Sequence, residues 1–182
     1  MDPHSTVEER VEKSTLQLLR TKGPRSVTVE AVAKASGVAK TTIYRRYRNR
    51  QDLLTSVLSR VASLAPPDAQ ATPPDRLRWV IRHAVEMVEK GVGLGGVAAM
   101  LTDDDPEFTA LSRQILVTQR AQLAAALDTG KADGSLRADI DSATLIDAVV
   151  GAYIAEHARS ERAAPDCEQR LFEFFWPAIR NP

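Results

Sequence analysis

Lys40, Thr41, Thr42, Tyr44, Arg45 and Arg46 crowd into seven consecutive residues, and each can donate a hydrogen bond to an anion or a base edge. On a helix, Lys40, Thr41, Tyr44 and Arg45 share one face at three-to-four spacing. Only a thin apolar seam of Val38, Ile43 and Tyr47 stands behind them. A helix this short and polar is not held by burial alone, so its outward groups serve a partner. Their chemistry suits the major groove of duplex DNA. Lys40, Thr41 and Arg45 are placed to reach base edges, with Arg45 able to bond both acceptors of a guanine. Thr42, Tyr44 and Arg46 suit phosphates, which fix register. Thr28 and Arg50 stand at predicted helix N-termini, where backbone N–H groups and the helix dipole already favour a phosphate.

Positioning such a helix requires a second one before it. Val29, Val32 and Ala33 recur at helical spacing, Ser36-Gly37 breaks the pattern, and Val38 and Ile43 resume it. Gly37 supplies a turn residue free to take positive φ, and Thr28 is the expected N-cap, with Glu30 in the first turn. Upstream, a helix begins near Ser5 or Thr6, where Ser5 with Glu8 or Thr6 with Glu9 forms a capping box. It stops at Gly23-Pro24. Asn49 caps a fourth helix from Arg50 to about Leu64, striped by Leu53, Leu54, Val57, Leu58 and Val61.

Beyond it the chain stays helical. Residues 65–75 carry four prolines and read as a connection. A fifth helix runs from about Pro74 to Lys90. Gly91, Gly93, Gly95 and Gly96 interrupt it, and a short sixth segment ends near Leu101. Asp105-Pro106 opens a helix to about Asp128, with proline where its missing donor costs nothing. GKADGSLRADID reads as a turn-rich linker, and two more helices cover about 142–160 and 166–180. The reading is all-α, with about nine helices: a three-helix, helix-turn-helix DNA-binding domain over 1–64 and a helical domain over 65–182. β-Branched alternation between hairpin turns is absent.

The balance of 43 % hydrophobic and 26 % charged residues is that of a globular chain. Its formal charge of zero hides an asymmetry. Residues 1–62 hold twelve Lys/Arg against six Asp/Glu, and residues 63–182 hold twelve against eighteen. A basic first third on an acidic remainder fits a DNA-binding module joined to something else. The single cysteine, Cys167, allows no intramolecular disulfide, no apolar run approaches the roughly 20 residues of a membrane span, and MDPHSTVEER has no signal pattern. A cytoplasmic location without membrane contact is expected. No cofactor is expected, nor an enzyme. GVGLGG at 91–96 follows a helix rather than a strand, no nucleophile–base arrangement shows in the local pattern, and His4, His83 and His157 match no zinc spacing. Asp103-Asp104-Asp105 with Glu107 reads as a helix N-terminus, capped by Asp105, rather than a metal site.

The run from Thr28 through Gly37-Val38, Lys40-Thr41-Thr42-Ile43-Tyr44-Arg45-Arg46-Tyr47 and Asn49-Arg50-Gln51-Asp52-Leu53-Leu54 resembles the N-terminal domain of the tetracycline-repressor-like (TetR) family. The resemblance covers about fifty residues and departs from the family pattern at Arg46, often His, and Tyr47, often Phe. It implies the same DNA contacts: Thr28, Lys40, Thr41, Thr42, Tyr44, Arg45, Arg46 and Arg50. It also implies a homodimer on a palindromic operator, paired through the last two helices. There LIDAVVGAYIAEHA and LFEFFWPAI are apolar around much of their circumference, and Gly151 and Ala152 permit close approach. Finally it implies a small-molecule effector in the C-terminal domain. Candidate lining residues are Trp79, His83, Met87, Met100, Phe108, Ile115, Gln119 and Tyr153, a set suited to a moderately apolar organic molecule. The expected function is a sequence-specific regulator, a repressor that the effector releases. The alternatives are an activator, or a ligand-independent DNA-binding or adaptor protein.

Overall fold

The computed structural model describes residues 5–160 and 163–181; His4 lies outside them. The helices are α1 (Val7–Lys22), α2 (Val29–Ser36), α3 (Lys40–Arg46), α4 (Arg50–Val61), α5 (Pro73–Glu86), α6 (Gly93–Thr102), α7 (Pro106–Ala132), α8 (Ser142–Ser160) and α9 (Cys167–Ile179). The fold is all-α. Packing groups residues 5–63 with 88–116 in one compact unit, and 64–87 with 117–181 in another. This division by contact differs from the expected division by function at 64/65, because α6 and the start of α7 pack with the N-terminal helices.

In the first unit the ends of the helices are written in local sequence. Thr6 and Glu9 form the capping box of α1, Thr6 N donating to Glu9 Oε2 at 2.8 Å and Glu9 N to Thr6 Oγ1 at 3.2 Å. Thr28 Oγ1 accepts from Ala31 N at 3.1 Å, and Asn49 Oδ1 from Asp52 N at 2.8 Å. Gly37 closes α2 at φ 67° and ψ 17°. No atom lies within 4 Å of where its Cβ would stand, so the backbone angle and not space demands glycine. Asp105 Oδ1 accepts from Phe108 N at 3.1 Å, capping α7 as its position before Pro106 suggests. α1 packs on α2, α4 and α6, and the core between them buries Val11, Leu19, Val32, Ile43, Leu53 and Phe108.

The glycine-rich stretch interrupts the helix as expected at Gly91, and beyond it the remaining glycines belong to the sixth helix. After a π-type turn over Met87–Val92, kinked at Gly91, Gly93, Gly95 and Gly96 lie inside α6. A Cβ at Gly95 would stand 3.3 Å from the carbonyl oxygens of Leu19 and Arg20, and one at Gly96 2.9 Å from Val92 and 3.2 Å from Phe108. These glycines let α6 approach α1 and α7 closely. Arg20 donates to the carbonyls of Lys90 and Gly91, which the broken helical ladder leaves bare.

In the second unit α5 packs on α8 and α9, burying Leu77, Val80, Ile81, Ile146 and Val149. α7 runs on to Ala132 and so takes up the start of the expected linker. Gly130 is buried beneath Leu136, whose side chain would lie 2.8 Å from any Cβ there. The C-terminus is tied to the same turn, Arg137 N donating to Ile179 O at 2.9 Å and Asn181 N to Ser135 O at 3.1 Å.

Cys167 is buried at the start of α9. Burial first, and then Glu156, pushes its thiol up to about 11. A group with so raised a pKa is a neutral thiol at pH 8, and the thiol is the unreactive form. Iodoacetamide should therefore leave the native protein almost unmodified at pH 8 and alkylate it fully in denaturant. Equal rates in both states would contradict the burial.

Candidate nucleic-acid interface

The turn Gly37-Val38-Ala39 sets α3 at the edge of the first unit. Ile43 is 0 % exposed, and Val38 and Tyr47 are buried beside it, so one narrow face of α3 carries all its anchoring. The rest of the helix faces solvent. Lys40, Thr41, Arg45 and Arg46 are exposed, Tyr44 is 49 % exposed and Thr42 is half-buried. The structure thus brings six of the eight expected DNA-binding residues together on one short rod. Ala39 is the N-cap and offers no side-chain bond.

Two of the three cations on α3 have acidic neighbours. Lys40 Nζ lies 3.1 Å from Glu30 Oε1 on α2, and its hydrogen bond holds the Glu30 carboxyl below the usual carboxylate range. Arg46 pairs with Glu8 on α1. Arg45 has no ion-pair partner among the described residues.

Thr28 and Arg50 stand apart from this cluster. Thr28 is exposed, and its hydroxyl is the N-cap of α2. Arg50 stands at the N-terminus of α4 as expected, with its guanidinium engaged within the fold. Its Nε donates to Val27 O and its Nη2 to Pro24 O, each at 2.8 Å. Nη2 also reaches Asp105 Oδ2 at 2.5 Å, and Nη1 reaches Glu107 Oε2 at 3.1 Å. The guanidinium ties the stretch before α2 to the first turn of α7. Sequence reasoning passed over Arg48, which is 90 % exposed just beyond α3 and whose Nε lies 3.6 Å from Asp52; its place in the run Arg45-Arg46-Tyr47-Arg48 was the available signal.

The expected effector residues fall in both units. Phe108 is 0 % exposed in the core of the first unit, and Met100 and Ile115 pack against that core. Trp79, His83, Met87, Gln119 and Tyr153 belong to the second. There the rings of Trp79 and His83 are 4.3 Å apart, with His83 Nδ1 2.7 Å from the Trp79 carbonyl oxygen. Trp79 also lines a cavity with residues of the proline-rich stretch and α7. Among the described residues no group of three or more His, Cys, Asp and Glu could hold a metal ion, and no helix is long and apolar enough to cross a membrane.

A short helix offering cations and hydroxyls, set on a capped partner by a left-handed glycine turn, defines a helix-turn-helix DNA-binding protein. Residues 13–57 match the model of the family described as bacterial regulatory proteins, tetR family, so the similarity to that family covers the segment that holds α2, the turn and α3. The structure is similar to a TetR-family regulator from Rhodococcus sp., with a TM-score of 0.71 at 18 % identity over 93 % of this chain and 96 % of that one. It is similar to regulatory protein TetR from Rhodobacter sphaeroides, with a TM-score of 0.68 at 24 % identity over 96 % and 100 %. A transcriptional regulator from Saccharomonospora viridis, solved in complex with choline, gives a TM-score of 0.63 at 18 % identity over 96 % and 98 %. At these identities the likenesses show the fold. No curated protein matches the chain.

Proposed function

We propose that the protein is a cytoplasmic homodimeric repressor that covers a palindromic operator until a small organic effector releases it. Residues 1–64 form the reading head, and residues 65–182 carry the dimer contact and the effector site. The outward face of α3 carries this reading, because its side chains are exposed and Arg45 has no ion-pair partner among the described residues, while Lys40 and Arg46 pair only with part-exposed carboxylates. In the proposal Lys40, Thr41 and Arg45 meet base edges, Thr42, Tyr44 and Arg46 meet phosphates, and Thr28 presents the first turn of α2 to the backbone. Arg50 enters as a residue that positions these groups rather than one that binds DNA.

Support for the dimer comes from α8 and α9. Phe174 is 75 % exposed, an aromatic surface costly to leave in water, and no atom lies within 4 Å of a Cβ built at Gly151. Support for an effector comes from the fold, since a similar protein was solved with choline. An effector shifts the equilibrium only if it binds one arrangement better than the other. Activation, or action without a ligand, is the alternative.

DNA from the chain's own upstream region and a selected palindrome library test the reading. Binding should weaken steeply with salt, by close to one power of salt concentration per phosphate neutralised. Arg45→Ala should cost roughly 1–3 kcal/mol on the selected site and relax preference at one base pair. Equal losses on selected and random DNA would remove Arg45 from base recognition, and absence of salt-dependent binding would end the proposal.

A further inference from the structure

The proline-rich stretch after α4 does more than join two helices. Pro66 and Pro67 form one wall of a half-open cavity of about 610 Å³, whose other walls include Arg76 and Trp79 of α5 and Gln122 and Ala126 of α7. That volume is in the range of small-molecule sites, about 300–1,000 Å³. The walls are mainly apolar and the proline backbones are fixed in φ, so little need be ordered when a ligand enters.

We propose that this cavity binds a small organic carboxylate with an apolar or aromatic body, Arg76 holding the carboxylate and Trp79 packing on the body. The side chain of Arg76 is only 15 % exposed and has one partner among the described residues, Asp133, reached through Nη1 at 2.9 Å. Among the described residues Nε and Nη2 have no hydrogen-bond acceptor. A guanidinium keeps its charge at any ordinary pH, and its planar fork matches the two oxygens of a carboxylate. Asp133 does not depend on Arg76 alone, since Ser135 N donates to it at 3.0 Å. The cavity also has one acidic residue, Asp68, which is exposed and already accepts from Gln70 N at 2.9 Å. An organic cation would find only the exposed Asp68 as an acidic group on the cavity walls, since Asp133 is already engaged by Arg76 and Ser135. The proline wall is the chain that leads out of α4, so an occupant grips the stretch through which the reading head is joined to the rest. This inference rests on the effector reading above.

The test uses the full chain carrying Trp176→Phe, which leaves Trp79 as its one tryptophan, and follows its fluorescence. The probes are 2-naphthoic acid and decanoic acid, with 2-naphthalenemethanol as the uncharged control. Naphthoate should quench Trp79 saturably and bind at least tenfold more tightly than the alcohol. Arg76→Gln should remove that tenfold difference. Ala125→Phe, at an exposed position on the cavity wall, should block both probes while far-UV dichroism stays unchanged. The proposal is overturned by absence of saturable binding, by equal binding of acid and alcohol, or by binding that survives both substitutions. Upstream DNA affinity, measured alongside, separates the two readings. Naphthoate binding without DNA release upholds the site and removes the effector reading, whereas release that persists in Arg76→Gln overturns the site and leaves the effector reading standing.

Discussion

Phe108→Ala should destabilise the protein by roughly 3–5 kcal/mol, the range of large-to-small changes in a rigid core. Phe108 is 0 % exposed and its ring lies 3.2 Å from where a Cβ on Gly96 would stand. Gly96 itself has no side chain to swing into the void, so the loss lies toward the upper end of the range. Phe108→Leu, which retains most of the volume, should lose much less. Urea denaturation followed by far-UV dichroism measures both. A loss below about 1 kcal/mol for alanine would mean that Phe108 faces space able to close or fill, as a residue in a ligand pocket would.

Arg50→Ala has the next largest effect. Truncating one partner of a buried ion pair costs roughly 3–5 kcal/mol because the other charge is stranded. The Arg50 and Asp105 side chains are 24 % and 10 % exposed, so a somewhat smaller loss of about 2–4 kcal/mol is expected. The carbonyls of Pro24 and Val27 lose their donor as well. Arg50→Lys should rescue little, since an ammonium cannot span four acceptors held in a plane by the fork. Adding Asp105→Asn to Arg50→Ala should cost much less than it does alone, the non-additivity of a shared contact. DNA affinity should fall to the same degree on selected and random sequences. Unchanged stability with weakened DNA binding would instead make Arg50 a direct phosphate ligand.

Elements were legible where their causes are local. Thr28 and Asn49 each cap a helix through the N–H three residues on, and Gly37 closes α2 through its own φ. Such features are visible in a window of a few residues, and they build α2, the turn and α3, hence the exposed face. The glycines of α6 were misjudged because their reason lies in Arg20 and Phe108, far off in sequence. By helix propensity alone they read as breaks. Gly130 is the same case, since Leu136 folds back over it. Arg50 looked like an open cation because its acidic partner, Asp105, is 55 positions away. The cavity beside Trp79 was hidden for a related reason: its wall is a stretch whose composition reads only as a connector.

The carboxylates facing α3 bear on how such a rod samples duplex. Glu30 and Glu8 stand where phosphates would, so under the proposed function Lys40 and Arg46 would exchange one anion for another on docking, and contact with arbitrary sequence would bring them little. Arg45 leaves nothing behind when it engages. Under that proposal, residence on random stretches would be brief and dwell time would concentrate where Arg45 meets its acceptors, which would quicken the hunt for a rare target among many decoys.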